Sequence, residues 1–175
     1  MTQIEKATSQ NESKQRYEPY ILGIFCNWCT YTGCDQAGTS RMQRPANLRV
    51  MRVMCSGRVE PEYILEALKR GADGVLIGAC HLGDCHYVNG NFKTVRRMPV
   101  VQEYVHAFGF DPRRVRLEHI SASEGAELTE FVKEFVKELK EIGPNPRRSA
   151  GLLKDLPLPD VTAQEIGKNE EHSHH

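Results

Sequence analysis

Pro61–Cys80, PEYILEALKRGADGVLIGAC, carries a helix, its stop and a buried strand in one continuous run. Pro61 suits a first helical position, where its missing N–H costs nothing; Glu62 sits in the first turn, Lys69 and Arg70 in the last, and Gly71 ends the helix. Asp73–Ala79 (DGVLIGA) is short, apolar and bounded by turn residues, the pattern of a strand covered on both faces. Cys80 follows it at once.

The same device recurs on either side. Tyr20–Phe25 (YILGIF) reads as a buried strand and runs into Cys26, and Leu48–Met54 (LRVMRVM) reads as a strand and runs into Cys55. Val115–Ile120 (VRLEHI) supplies a fourth strand. A helix is expected between Tyr31 and Arg44, stopped near Pro45. Asn91–Phe108 has helical periodicity, with Pro99 inside it expected to kink or split the helix. Ser121 and Glu124 form a capping box opening a long helix through Glu141, whose Leu128, Phe131, Val132, Phe135, Val136 and Leu139 recur at three-and-four spacing.

This alternation predicts an α/β, flavodoxin-like three-layer fold: a parallel sheet of four strands, or five, with helices on both faces. Right-handed crossovers set every strand's C-terminal end along one edge, so Cys26, Cys55 and Cys80 are expected to gather there. Residues 1–17 read as a polar arm, 18–142 as the α/β domain, and 143–175 as an extended Pro-rich and polar tail. In that tail Leu152, Leu153, Leu156 and Leu158 offer either a docking segment or ordinary disordered chain, and His172, His174 and His175 mark no site.

The 175 residues are 39% hydrophobic and 26% charged, enough for one core without disulfides. The 23 basic and 23 acidic side chains cancel, so no long-range field draws the chain to nucleic acid or an anionic membrane. The N-terminal stretch lacks a signal peptide's apolar core, and no run approaches the roughly 18 apolar residues of a spanning helix. A cytoplasmic protein is expected, and in that reducing compartment clustered thiols bind metal or do redox chemistry.

The six cysteines fall as Cys26-Asn27-Trp28-Cys29, Cys34, Cys55 and Cys80-His81-Leu82-Gly83-Asp84-Cys85. Several thiolates at one sheet edge suit zinc or an iron-sulfur cluster. Three other readings stand beside the cluster. A structural zinc would make the chain an adaptor, but this domain has a core without it. A thiol oxidoreductase would use Cys26 and Cys29, leaving Cys55, Cys80 and Cys85 idle. A Rieske centre needs histidine ligands, whereas His81 and His86 each follow a cysteine directly and read as outer hydrogen-bond donors. A 2Fe-2S cluster on four thiolates carries roughly two negative charges, and one more when reduced, so it needs backbone donors. Turns after Cys55 and Cys80, eased by Gly57 and Gly83, would provide them; plain turn-making is the alternative for these glycines.

Cys26-Asn27-Trp28-Cys29-Thr30-Tyr31, Arg52-Val53-Met54-Cys55-Ser56-Gly57-Arg58-Val59, Gly71-Ala72-Asp73-Gly74-Val75 and Cys80-His81-Leu82-Gly83-Asp84-Cys85-His86-Tyr87-Val88-Asn89-Gly90-Asn91 occur in that order. Over about residues 18–142 the chain resembles the delta subunit of methyl-viologen-reducing (F420-non-reducing) hydrogenase. The resemblance implies a non-catalytic electron-transfer subunit with one 2Fe-2S cluster. It would take electrons from a hydrogenase or formate dehydrogenase to the flavin subunit of heterodisulfide reductase. The matching cysteines are Cys26, Cys29, Cys55, Cys80 and Cys85, one more than a cluster needs; Cys55, Cys80 and Cys85 are expected ligands, with Cys26 and Cys29 competing for the fourth place. Cys34 lies outside the pattern.

Trp28 would shield the cluster or simply pack. Arg41, Arg44, Arg58, Arg96 and Arg97 read as a docking surface or a solvated face, and Tyr87, Asn89 and Asn91 as shaping the loop after Cys85.

Overall fold

The structure is a computed structural model and describes residues 17–148; the N-terminal arm before Tyr17 and the leucine and histidine positions of the tail lie outside it. Its elements run β1 (Ile21–Cys26), α1 (Thr30–Thr39), β2 (Leu48–Val53), α2 (Pro61–Lys69), β3 (Gly74–Ala79), α3 (Gly90–Ala107), β4 (Val115–His119) and α4 (Gly125–Ile142). Short 3-10 turns at Ser56–Arg58 and Pro112–Arg114 complete it.

All strand pairings are parallel and the order is β2-β1-β3-β4, so among the described residues the sheet has four strands. The register pairs Ile21 with Leu48 on one side and Gly74 on the other, and Val75 with Val115. One face of the sheet, with Phe25 and Leu76, packs on Cys34 of α1 and Leu128, Val132, Phe135 and Leu139 of α4. The other, with Ile24, Val75 and Ile77, packs on Ile64 and Leu68 of α2 and Val101 and Val105 of α3. Alternate residues of each strand thus serve opposite layers, which is the three-layer fold expected. No helix among the described residues is long and apolar enough to cross a membrane.

Two local expectations are corrected. α3 is not split at Pro99: Gly90–Ala107 is one helix. Pro99 lies on its exposed side, where water can take up the carbonyl left without its N–H partner. Ser121 is not the cap of α4, which starts at Gly125 after Glu124. Half of the capping box survives, because Glu124 Oε2 accepts the N–H of Ser121 at 2.7 Å. The same oxygen lies 2.7 Å from His81 Nε2, and the Ser121 hydroxyl pairs with Ser123 instead.

The chain past α4 remains tied to the body. Buried Asn145 donates to the carbonyls of Leu68 and Ala72 at 2.8 and 2.5 Å, and its own N–H bonds the Asp73 carboxylate at 2.8 Å. Asp73, fully buried, also accepts the N–H of Tyr20 at 2.8 Å and the Arg148 guanidinium. This knot closes the sheet end opposite the cysteines.

Candidate metal centre

Parallel topology brings the cysteines together. Cys26 is the last residue of β1, Cys80 follows β3 directly, and Cys55 stands two residues beyond β2. Since β1 lies between β2 and β3, Cys26 is the middle member. Cys29 enters from the N-terminus of α1, which approaches the sheet closely because Gly78 has no side chain. A Cβ there would come within 2.4 Å of the Thr30 side chain. Cys85 comes from the loop between β3 and α3.

Cys26, Cys29, Cys55, Cys80 and Cys85 are all buried free thiols. The sulfurs of Cys26 and Cys80 are 3.8 Å apart, as are those of Cys55 and Cys85. Cys29 joins the first pair, the three sulfurs lying within 4.8 Å of one another. Two thiolates on one tetrahedral metal at about 2.3 Å are separated by about 3.8 Å, so each pair has the spacing that a shared metal requires.

Their electrostatics differ. Cys26 is held well below the ordinary thiol range, chiefly by the hydrogen bond from the Cys29 thiol, with the N–H groups of Trp28 and Ser56 adding to it against the cost of burial. Cys29 is correspondingly pushed up by its bond to Cys26 and by burial. Burial pushes Cys80 up to about 11. At Cys55 burial again raises the value, opposed by the N–H of Gly57 at 3.4 Å from its sulfur. At Cys85 burial is outweighed, and the N–H groups of Asn91, Tyr87 and Gly90 leave the thiol lowered.

The supporting residues are partly those expected. Gly57 serves its cysteine, whereas Gly83, at φ +96°, makes only a turn. Neither histidine is placed as a donor to sulfur. His81 is engaged by Glu124, and the His86 ring stacks on Trp28 with centroids 3.9 Å apart, interplanar angle 15°. Trp28 also donates its indole N–H to the Tyr87 hydroxyl at 3.4 Å, so it bridges the two cysteine loops and covers the edge while staying half-exposed. Cys34 is remote from the cluster, accepting from Arg44 at 2.6 Å inside the α1–α4 core. Of the arginines, Arg97 braces the turn after Cys55 through the carbonyls of Gly57 and Val59 at 2.8 and 3.1 Å.

Three contributions escaped the sequence reading. Asn91, fully buried, donates its amide to the carbonyls of Cys80 and His81 at 3.3 and 2.6 Å, so it fixes the start of the loop rather than its end. The Nδ1–H of His119 donates to the Cys80 carbonyl at 2.7 Å. Gly90 leaves room for the sulfurs, since a Cβ there would lie 2.2 Å from Cys55 Sγ and 3.2 Å from Cys85 Sγ. The only local signal for the last was a Gly-Asn pair at a helix start.

Val88, three residues past Cys85, is 80% exposed and has φ +69°, a backbone conformation costly for a branched side chain. Asparagine tolerates that conformation. Val88→Asn is expected to raise stability by about 1 kcal/mol, read as a higher urea midpoint at unchanged slope; an unchanged or lower midpoint would show that the backbone there is unstrained.

Comparison with known proteins places these features in one family. The family described as methyl-viologen-reducing hydrogenase, delta subunit, matches residues 21–143. The iron-sulfur subunit of the F420-non-reducing hydrogenase of Archaeoglobus profundus is 51% identical over 130 residues, 74% of this chain and 95% of that protein. The vhc iron-sulfur subunit of the F420-non-reducing hydrogenase of Methanococcus voltae is 49% identical over 130 residues, 74% of this chain and 90% of that protein. One subunit of the ferredoxin/F420H2-dependent CoB-CoM heterodisulfide reductase of Methanosarcina acetivorans is 46% identical over 144 residues, 82% of this chain; the chain spans only 18% of that protein's length. With the family match covering the whole sheet and every cysteine of the cluster, the chain belongs to the methyl-viologen-reducing hydrogenase delta-subunit family.

Proposed function

We propose that this chain is an electron-transfer subunit holding a 2Fe-2S cluster, with Cys26 and Cys80 on one iron and Cys55 and Cys85 on the other. The observation that carries the reading is the arrangement of sulfurs in two pairs, each 3.8 Å apart. One zinc needs four thiolates converging on a point, and only Cys26, Cys29 and Cys80 converge so closely among the described residues. Cys29, the fifth thiol, is pushed above the ordinary thiol range by Cys26 and by burial while Cys26 is pushed below it, so we assign the fourth place to Cys26.

A bound cluster supplies one-electron chemistry. The protein's part is to bury the sulfurs and to direct N–H groups at Cys26, Cys55 and Cys85. We assign no catalytic acid, base or nucleophile among the described residues. Exposed Trp28, Met54, Leu82, Tyr87 and Val88 surround the edge, so a partner can approach the sulfurs directly. The names of the relatives support placing the chain between a hydrogenase and a heterodisulfide reductase; a formate dehydrogenase as the alternative donor, the flavin subunit as acceptor and a cytoplasmic location are what the family resemblance implies.

Iron and acid-labile sulfide analysis of anaerobically purified protein, with EPR after dithionite reduction, tests this. About two irons, two sulfides and one unpaired spin per chain are expected. Stoichiometric zinc, no signal and failed reconstitution with iron and sulfide would make the chain a zinc-bound adaptor instead. Disulfide reductase activity surviving the loss of Cys55, Cys80 and Cys85 would support a thiol oxidoreductase.

A further inference from the structure

The two sulfur pairs do not have equivalent surroundings. Cys55 receives the N–H of Gly57 at 3.4 Å, and the backbone amides of Tyr87, Gly90 and Asn91, the last two in the first turn of α3, lower the neighbouring Cys85 thiol. In the other pair the Cys29 thiol acts on both sulfurs, and Cys26 also receives the N–H groups of Trp28 and Ser56, but neither sulfur faces the first turn of a long helix through backbone N–H groups. α3 is 18 residues long, so its positive end adds to the local donors at Cys85. The approach depends on two glycines back to back: a Cβ on Gly57 would fall 2.9 Å from Gly90 Cα, and one on Gly90 would meet Cys55 Sγ.

Depth and access favour the same side. Cys26 and Cys80 are 1% and 4% exposed, against 7% and 9% for Cys55 and Cys85. A groove of about 350 Å³ opens beside Cys55, lined among others by Met54, Tyr87 and Gly90 and by two cations, Arg58 and Lys93. Negative charge added at Cys55 and Cys85 therefore meets a helix N-terminus and nearby cations, and incurs less desolvation.

We propose that Gly57 and Gly90 are positioning residues that aim backbone N–H groups at the Cys55–Cys85 pair, so that the iron on this pair takes the electron on reduction. The proposal rests on the 2Fe-2S reading above. A one-electron donor, dithionite in the test or a redox partner in a complex, reduces that iron from ferric to ferrous; no bond breaks and no proton moves. The electron then sits on the side of the open groove.

The test compares Cys85→Ser with Cys80→Ser by potentiometric titration followed by EPR. Oxygen is a harder ligand than sulfur and favours ferric iron, so serine lowers the potential most at the iron that becomes ferrous. Cys85→Ser is expected to cut the reduced-to-oxidised ratio at fixed poise about tenfold, or about 59 mV for one electron, and to change the reduced EPR signal. Cys80→Ser should do clearly less. Equal shifts or the reverse order would overturn the proposal. Gly90→Ala should shift the potential in the same direction as Cys85→Ser; an unshifted potential with the cluster retained would also overturn it.

Where the variants lose the cluster, the unsubstituted chain labelled with 15N-glycine decides by pulsed electron–nuclear double resonance in the reduced state. Coupled glycine amides are expected from Gly57 and Gly90, and their absence would refute the positioning role. Iron and sulfide content of the unsubstituted chain separates the failures: without two of each the cluster reading fails, whereas a full cluster with the wrong order of shifts fails only the assignment of the electron.

Discussion

Cys26→Ala is expected to leave the purified chain with less than a tenth of its iron and labile sulfide, whereas Cys29→Ala retains both. The two residues sit in one motif and are both buried, so the difference arises from their positions. Cys26 ends the central strand, 3.8 Å from Cys80, and the hydrogen bond from Cys29 together with the N–H groups of Trp28 and Ser56 holds its sulfur as a thiolate. The thiolate is the metal-binding form. Cys29 is pushed the other way by its bond to Cys26 and by burial, with Thr30 Oγ1 a further neighbour at 3.6 Å. Removing it takes a donor from Cys26 and leaves a small apolar gap, which should alter the visible spectrum slightly at unchanged metal content. Metal analysis and absorbance of the two variants check this. Retention in Cys26→Ala with loss in Cys29→Ala would give Cys29 the fourth place.

Asp73→Ala should destabilise the fold by about 3 kcal/mol, a large part of the 5–15 kcal/mol typical of a domain. The carboxylate is fully buried and accepts from the N–H groups of Tyr20 and Asn145 and from the Arg148 guanidinium. Truncation leaves two N–H groups without their acceptor and a cation without its counter-charge. Arg148 can turn to water, being only partly covered, which keeps the loss at the lower end for a broken buried pair. Asp73→Asn, which keeps one acceptor oxygen, should lose less. Urea unfolding at constant slope measures both. Because β3 separates Asp73 from Cys80 by about 20 Å, the folded variant should keep its full metal content. A loss below about 1 kcal/mol would mean that the segment through Arg148 contributes little to the fold.

The helix–strand run at Pro61–Cys80 was legible because its signals are local. Apolar runs bounded by Gly and Pro specify buried strands, and three-and-four spacing specifies the covered face of α4. Cysteines placed just after such strands must share an edge once the sheet is parallel. Less legible were effects set by neighbours distant in sequence. Pro99 did not break α3, because its exposed side leaves the freed carbonyl to water. α4 starts after Glu124 rather than after Ser121, and the Glu124 carboxylate makes no cap bond to the helix but turns back to the Ser121 N–H and to His81 from another loop. Asn91 serves the Cys80 end of its loop because the loop returns to bring the first turn of α3 beside the residue that follows β3.

By itself the sequence determined the layered α/β fold and the edge where Cys26, Cys55 and Cys80 meet, since each follows from the pattern of a short segment, whereas Cys29 and Cys85 joined the set through the family resemblance. Which sulfur stands beside which was decided only in three dimensions. Cys55 and Cys85 are 30 residues apart and meet because the strand order sets β2 and β3 on either side of β1, and because two glycines let α3 close on the turn after β2. The physical reason is that periodicity records which face of an element is buried, whereas a 3.8 Å sulfur contact depends on the absence of a Cβ on a different element.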